Sequence, residues 1–485
     1  MYCITYVRDK TADSRTNQGR FQQQVRFLQH QFLQDGNLPF SDILSTELIE
    51  QALTALQVGL IDCVYTPLVT LCVFLGQVLS ADHSCRAAVA RLIAYRVARR
   101  DRPCSAETGA YCQARKRLPE EFFSQLARQT GRQLDAKAKS GWLWKTRRVL
   151  IFDGATVSMP DTYENQRAYP QPPQQKPGLG FPLMRIAAIF SLACGSVLDV
   201  GICRYAGKGQ SELALLRQMW SIFQPGDILL ADRLMCAWTE LVMLKQRDVD
   251  SVCRFNSANR KTDFRRGTRL GKDDHIVTWF KPTKPRSIDR QTYNTLPESL
   301  TIRECRVPIA QPGFRVKVVV MATTLLDHIA YPPSKLAELY RARWNAELDL
   351  KSLKQTMQMD VLRCKTPELV RKELWTHILA YNLIRTIIAQ AAHKHHLEPR
   401  SLSFKGAIQT LEAFQPVIAL QGEHDAARRL SLYQILLDAI ATHRVADRPD
   451  RYEPRARKRH NRNFAYLRKP RAQIKREMAK GLIVI

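Results

Sequence analysis

Two short apolar runs that each end in an aspartate constrain the fold of this 485-residue chain more than any other feature. Residues 147–153 read Arg-Arg-Val-Leu-Ile-Phe-Asp, and residues 226–232 read Gly-Asp-Ile-Leu-Leu-Ala-Asp. Short runs of this composition predict buried strands. Because ligands usually bind at the carboxyl ends of strands in an α/β sheet, Asp153 and Asp232 are candidate functional residues. Each could instead begin a turn or cap the next helix.

The residues between and after these runs predict a mixed α/β core. Residues 184–192 and 197–205 are apolar and flank a Cys-Gly-Ser turn, which indicates an antiparallel hairpin. Residues 211–223 have helical spacing, and the proline-rich residues 159–182 predict a loop. After the second run, short strand patterns predict a β-rich insertion. They lie at 252–255, 275–280 and 314–321.

The charge of the chain predicts a polyanionic partner. It contains 74 Lys and Arg residues against 45 Asp and Glu, a formal net charge of +29. Nucleic acid is the first candidate, and an anionic membrane surface is the second. Residues 86–117 hold nine Arg or Lys against two acids, which predicts a phosphate-facing surface, although a solvated helix face has the same composition. Residues 444–476 hold thirteen against three and predict a flexible basic tail.

Several classes of protein are excluded by missing patterns. The twelve cysteines form no C-x-x-C pair, so the sequence predicts neither a zinc site nor a disulfide framework, and it fits a reducing cytosolic setting. The first ten residues lack the apolar core of a secretory signal, and the most apolar stretch, residues 66–79, is too short to cross a membrane and predicts a buried helix. H-E-x-x-H, G-x-S-x-G and a phosphate-binding loop are missing, which excludes zinc proteases, serine hydrolases and P-loop ATPases.

A helix that begins near residue 333 carries a mixed set of groups on one face. Tyr340, Arg343, Glu347 and Lys354 follow one another at spacings of three, four and seven residues. At about 100° per residue, the four side chains fall within roughly 60° of one another. A phenol, a guanidinium, a carboxylate and an ammonium group therefore share a face. This face is either functional or an ordinary charged helix surface, and the neighbouring Trp344 favours the first.

Together these segments resemble the insertion-sequence transposases of the DDE superfamily, in particular the insertion sequence four family with its Tyr, Arg, Glu, Lys signature. The resemblance runs from residues 153–161 (Asp-Gly-Ala-Thr-Val-Ser-Met-Pro-Asp) through 227–233 (Asp-Ile-Leu-Leu-Ala-Asp-Arg) to 340–347 and Lys354. A Lys-Pro-Arg sequence at 469–471 is also similar. The similarity therefore covers about residues 85–475.

The resemblance implies a ribonuclease H-like catalytic core, a mixed sheet with helices that is interrupted by the β-rich insertion and flanked by helical N- and C-terminal regions. It implies that Asp153, Asp232 and Glu347 are the catalytic residues and hold two divalent ions, Mg²⁺ or Mn²⁺. Carboxylates suit these hard cations, and two ions ~4 Å apart can polarise the attacking oxygen and stabilise the leaving one.

The resemblance also implies contacts with DNA. Tyr340, Arg343 and Lys354 would hold phosphates at the transposon end. The β-rich insertion would help to hold a DNA hairpin or a flipped base, which needs a stacking aromatic side chain. Trp279 is the best candidate there, although a tryptophan at this position suits the protein core as well.

The predicted organisation has five segments. They are a helical N-terminal DNA-binding region (1–146), the first part of the catalytic core (147–249), the β-rich insertion (250–325), the core helix with Glu347 (326–365) and a helical C-terminal region with the basic tail (366–485).

The predicted function is cut-and-paste DNA transposition in the bacterial cytoplasm or nucleoid. The partners are the terminal inverted repeats and target DNA, with a homodimer in the synaptic complex and no membrane. Two alternatives stay open: a two-metal DNA nuclease without strand transfer, and a non-catalytic DNA-binding descendant. The presence of all three acids disfavours the second alternative.

Overall fold

A computed structural model describes residues 10–59, 63–257, 260–285, 287–308, 318–422, 424–445, 467 and 469–482. The chain divides into two compact units. The first comprises Met1–Ala138, Gln355–Met359 and Glu368–Val445, and the second comprises Lys139–Lys354, Asp360–Pro367 and Ala446–Ile485. Within the described ranges, no helix is long and apolar enough to span a bilayer.

The α-helices of the described residues follow in chain order. They are α1 (Lys10–Gln31), α2 (Thr46–Ala55), α3 (Pro67–Leu79), α4 (Cys85–Ala98), α5 (Gly109–Arg117), α6 (Glu120–Ala136), α7 (Tyr163–Ala168), α8 (Glu212–Gln218), α9 (Trp238–Lys245), α10 (Arg290–Asn294), α11 (Pro333–Ala342), α12 (Trp344–Lys351), α13 (Pro367–Lys394), α14 (Phe404–Gln421), α15 (Ala426–Thr442) and α16 (Arg471–Ala479). Helices α1 to α6 and α13 to α15 belong to the first unit.

The first unit is helical and packs around α13. Almost every side chain of this helix is buried, and two of its side-chain amides donate to carbonyls of other segments. Asn382 donates to the carbonyl of Ala127 at 2.9 Å, and Gln390 donates to the carbonyl of Leu33 at 2.9 Å. These bonds satisfy polar groups that would be costly to bury alone. The apolar stretch at 66–79 is the mostly buried helix α3, as its composition predicts.

The second unit is built on a sheet of nine strands. They are β1 (Val149–Ser158), β2 (Leu183–Ser191), β3 (Val197–Arg204), β4 (Ile228–Ala231), β5 (Asp250–Arg254), β6 (Thr268–Gly271), β7 (Asp274–Phe280), β8 (Ser299–Pro308) and β9 (Val318–Thr323). Their order is β3-β2-β1-β4-β5-β9-β8-β7-β6. Strands β1, β4 and β5 run parallel to one another, and the other neighbouring pairs are antiparallel. The predicted mixed α/β architecture is confirmed.

The two strands that carry the aspartates differ in length. Strand β4 ends immediately before Asp232, as predicted, but the prediction that Asp153 ends its strand is wrong, because β1 continues to Ser158. The reason is the other edge of β1, which pairs with β2 from Leu150 to Ser158 and so supplies backbone partners beyond the end of β4. Asp153 therefore lies inside a strand, level with the end of a shorter neighbour.

One further detail differs from the sequence predictions: the proline-rich stretch at 159–182 contains α7, whose first turn is capped by the Thr162 hydroxyl, which accepts from the Asn165 N–H. The sequence left open where the strands of the β-rich stretch pair, and in the structure β9 pairs with β5 and continues the sheet of β1 and β4. The polarity of a strand reports its exposure but not its partner, so the sequence could not place these strands.

The last described helix, α16, packs on the loop that follows β1. Arg471 donates to the carbonyl of Gly180 at 3.0 Å and forms an ion pair with Asp161 at 3.4 Å. Its guanidinium also lies 3.8 Å from the ring centroid of Phe181. This part of the predicted flexible tail is therefore an ordered helix, whereas residues 446–466 of the tail lie outside the described residues.

Candidate active site

The register of β1 and β4 brings the two aspartates side by side. Val149 pairs with Ile228 and Ile151 with Leu230. Continuing this parallel register by two residues sets Asp153 level with Asp232. One oxygen of Asp153 accepts the N–H of Gly154 at 2.9 Å, and one oxygen of Asp232 accepts the N–H of Leu234 at 2.7 Å. Asp232 therefore also begins a turn, and this use leaves its second oxygen for another partner.

Glu347 is linked to this pair through Arg343. Helix α12 packs against β1, and Arg343 lies at the junction of α11 and α12. Its guanidinium donates to Glu347 at 2.6 Å and lies 3.8 Å from a carboxylate oxygen of Asp153. Arg343 is largely buried, with a side chain 16% exposed, while the Glu347 side chain is 37% exposed. The guanidinium thus balances two of the three carboxylates of the predicted triad.

The environment of Asp153 disfavours its charged form. Burial raises the pKa of its carboxyl from the ordinary 3.8 to about 6. The Gly154 N–H and Arg343 lower that pKa, and repulsion by Glu347 and Asp232 raises it further. The three carboxylates are therefore close enough to repel one another, which is typical of a functional site.

Tyr340 lies at the same end of the sheet. Its ring is nearly buried on α11, and burial raises the pKa of its phenol. Arg343 attracts the ionised phenol, and Asp232 repels it. The structure therefore brings Tyr340 close to Arg343 and Asp232.

The regular α-helical spacing that predicted Lys354 on the same face as Tyr340, Arg343 and Glu347 does not extend as far as Lys354. The helix is interrupted at Arg343, and a π-helical turn, Ser352–Thr356, follows α12. A π-helical turn contains more residues than an α-helical turn, so the 3.6-residue period does not apply at Lys354. Among the residues that the structure describes, the Lys354 side chain has no ion pair, and its ammonium remains available to a ligand.

Trp279 is a core residue in this structure. It is 4% exposed, packs edge-on against Phe255, and donates its indole N–H to Glu304 at 2.8 Å. The guanidinium of Arg260 covers its ring at 4.4 Å. No open face of the indole is left on which a base could stack. The geometry therefore favours a role for Trp279 in the protein core over base stacking.

Glu212 is a fourth carboxylate at the site that the sequence did not single out. It is the first residue of α8, and its carboxyl group lies against the backbone of Gly154. Burial raises the pKa of its carboxyl, Arg185 lowers that pKa, and Asp232 raises it. A single acid at the start of a short helix is an ordinary feature, so the sequence contains no signal that marks this one.

The side chains at this end of the sheet suit a hard divalent cation. The donors are carboxylate oxygens, which Mg²⁺ and Mn²⁺ prefer. Burial is the main cause of the raised pKa of Asp153, and a bound cation would stabilise its charged form there. Within the described ranges, no three His, Cys, Asp or Glu side chains are already gathered at metal-binding distances. The donor set fits a cation, although Glu347 is held by Arg343 in this conformation.

Comparison with known proteins gives the following relatives. Residues 144–383 match the family described as "Transposase DDE domain". The chain is 30% identical over 305 residues to the transposase InsG of insertion sequence element IS4 from Escherichia coli (strain K12), which covers 61% of this chain and 64% of that protein. It is 39% identical over 69 residues to the transposase of insertion sequence element IS421 from Escherichia coli, covering 14% and 19%.

Among solved structures, the chain is similar to the piggyBac transposase in a synaptic complex with hairpin DNA. The similarity has a TM-score of 0.41 at 11% identity and covers 86% of this chain and 87% of that chain. The chain spans just under two thirds of the length of the IS4 relative and a smaller part of the IS421 relative. The matched family segment contains Asp153, Asp232, Tyr340, Arg343, Glu347 and Lys354.

Proposed function

Because residues 144–383 match the DDE transposase domain, we propose that this chain is a DNA transposase that cleaves transposon ends and joins them to target DNA by cut-and-paste transposition. The observation that carries the proposal is the parallel register that sets Asp153 on β1 level with Asp232 just after β4, with Glu347 linked to Asp153 through Arg343. The strand order β3-β2-β1-β4-β5 supports a ribonuclease H-like core.

In this proposal Asp153, Asp232 and Glu347 would hold two divalent cations, Mg²⁺ or Mn²⁺. Bound there, the cations would activate the attacking oxygen and stabilise the leaving oxygen of the phosphodiester. The three carboxylates supply the negative charge for this, and Asp153 is partly shielded from water, with a side chain 23% exposed. Arg343 keeps Glu347 and Asp153 in place at 2.6 Å and 3.8 Å before the site is loaded.

The DNA contacts follow from the charges around these acids. Arg343 and Lys354 would hold phosphates of the transposon end, and Tyr340 would support Arg343 from α11. The basic residues at 86–117 other than the buried Arg115, together with the basic tail, would bind the phosphates of longer DNA segments. Trp279 carries no part of the proposal, because its buried indole supports the fold of the insertion.

We place the enzyme on bacterial DNA in the cytoplasm or nucleoid, with terminal inverted repeats and target DNA as substrates and a homodimer in the synaptic complex. A two-metal nuclease would use the same three acids but would lack strand transfer. The two possibilities are separated by offering a pre-cleaved transposon end with a free 3′-hydroxyl and a supercoiled target. A transposase joins the two DNA molecules, and a nuclease does not.

The carboxylate assignment is tested by Asp153→Asn, Asp232→Asn and Glu347→Gln in the full chain. Each variant should lose cleavage of a labelled end in Mg²⁺ while gel-shift binding of that end persists, because cation binding needs the charge and the fold does not. Glu338→Gln is the matched control, since Glu338 lies exposed on α11 and pairs with Lys335 at 2.7 Å. Near-normal cleavage by any one of the three variants removes that residue from the site.

A further inference from the structure

Three strands carry a row of small residues across the sheet. Gly154 on β1 pairs with Ala187 on β2, and Ala187 pairs with Gly201 on β3. None of the three positions requires a left-handed backbone, since both glycines have ordinary φ values. The small size of these residues is therefore explained by the helix that packs on this face of the sheet and not by backbone conformation.

Helix α8 lies on this row. A Cβ atom at Gly201 would lie 3.0 Å from the Cβ of Leu215, and a Cβ atom at Gly154 would lie 2.6 Å from the carboxyl carbon and Oε1 of Glu212. Glu212 and Leu215 are three residues apart and so lie on one side of the helix. The row of small residues thus lets α8 approach the sheet closely enough to set the Glu212 carboxylate on the residue that follows Asp153.

The charged form of Glu212 is disfavoured chiefly by burial of its carboxyl group. Arg185 attracts the carboxylate, and Asp232 is near enough to repel it. The Asp153 carboxylate is likewise repelled by Glu347 and Asp232. Arg185 does not serve Glu212 alone, because it donates to the carbonyl of Tyr205 at 2.9 Å and lies over the Tyr205 ring at 5.4 Å. The close approach of α8 therefore adds a fourth carboxylate at this end of the sheet.

We propose that Glu212 is a positioning residue of the cation site, whose negative charge near Asp232 tightens the binding of a divalent cation by Asp153 and Asp232. The proposal rests on the proposed function, because it assumes that Asp153 and Asp232 bind the cation. The competing explanation is structural: Glu212 begins α8 and pairs with Arg185, with no influence on the cation.

The test is a titration of the DNA-free full chain with Mn²⁺, followed by the electron paramagnetic resonance signal of free Mn²⁺. Glu212→Gln keeps the shape of the side chain and removes its charge, and it should weaken Mn²⁺ binding by about tenfold, the lower end of what loss of an outer partner of a metal ligand costs. Glu338→Gln is the control for loss of one exposed carboxylate. Thermal unfolding without Mn²⁺ gives the structural contribution separately.

A second variant uses the contact with β1. Gly154→Ala places a methyl group where the Glu212 carboxyl lies, and the flexible end of that side chain must move away. Mn²⁺ binding should weaken in the same direction, and the double variant Gly154→Ala, Glu212→Gln should be no weaker than Glu212→Gln alone, because both changes remove the same charge.

Unchanged Mn²⁺ affinity in Glu212→Gln, with or without a lower unfolding temperature, overturns the proposal. If Glu212→Gln does not fold, Gly154→Ala decides the question, and normal Mn²⁺ affinity there overturns it equally. Asp232→Asn is titrated in parallel to separate the two levels of inference. If Asp232→Asn also binds Mn²⁺ normally and cleaves DNA, the proposed function itself fails; if only Glu212→Gln is normal, the proposed function stands without this residue.

Discussion

Replacing Asp153 by Asn should stabilise the cation-free protein while it abolishes cleavage. The native state holds this carboxyl in surroundings that raise its pKa from 3.8 to about 6, so ionising it is harder in the folded chain than in the unfolded chain. Above pH 6 the group is ionised in both states, and at ~1.36 kcal/mol for each pH unit between the two values, its charge costs the native state ~3 kcal/mol. Asparagine keeps the oxygen that accepts the Gly154 N–H but carries no charge.

The sign of the pH dependence follows from the raised pKa. Well below pH 3.8 the carboxyl is protonated in both states and costs nothing. As the pH rises from 4 to 6, the unfolded chain releases the proton first, and the wild-type protein loses stability that the variant keeps. The advantage of Asp153→Asn should therefore be ~3 kcal/mol at pH 8 and shrink to ~1 kcal/mol at pH 4.5.

The assay is urea unfolding of both proteins in the presence of EDTA at the two pH values. Asp250→Asn is the matched control, because Asp250 has the opposite shift. Burial alone would raise its pKa, but hydrogen bonds from Lys245, Arg147 and Thr324 outweigh burial and lower it. That variant should be destabilised at pH 8. An Asp153→Asn protein that is no more stable than wild type at pH 8, or equally more stable at both pH values, refutes the argument from charge.

Two further predictions concern arginine side chains of the second unit. Arg343→Ala should slow single-turnover cleavage more than Lys354→Ala does. Only Arg343→Ala should tighten Mn²⁺ binding, because Arg343 competes with the metal ion for Glu347 and Asp153, and equal Mn²⁺ midpoints in the two variants would contradict this. Arg471→Ala should expose the C-terminal helix to limited proteolysis by removing the contacts with Asp161, Gly180 and Phe181, whereas the exposed Lys475→Ala should not, and equal cleavage rates would show that α16 is held by other contacts.

Local sequence pattern predicted the elements that carry the site. Apolar composition identified β1 and β4, and the Cys-Gly-Ser turn identified the hairpin of β2 and β3. The helical spacing after residue 333 placed Glu347 and Arg343 on one helix face, and the two side chains are in contact at 2.6 Å. Such patterns are reliable because they reflect the geometry of a single strand or helix, which the nearest residues along the chain determine.

What the sequence determined by itself was therefore the identity of the strands and helices and the three acids that they carry. The tertiary structure decided that β1 continues beyond Asp153 and that the later strands extend the same sheet. It also decided that Phe255 and Arg260 enclose Trp279 and that the Glu212 carboxyl contacts Gly154. Each of these depends on which distant segment lies alongside, and a period of two or 3.6 residues contains no information about the partner. Burial, repulsion between carboxylates and the close approach of α8 all arise between segments that are remote in sequence, so they exist only once the sheet has assembled.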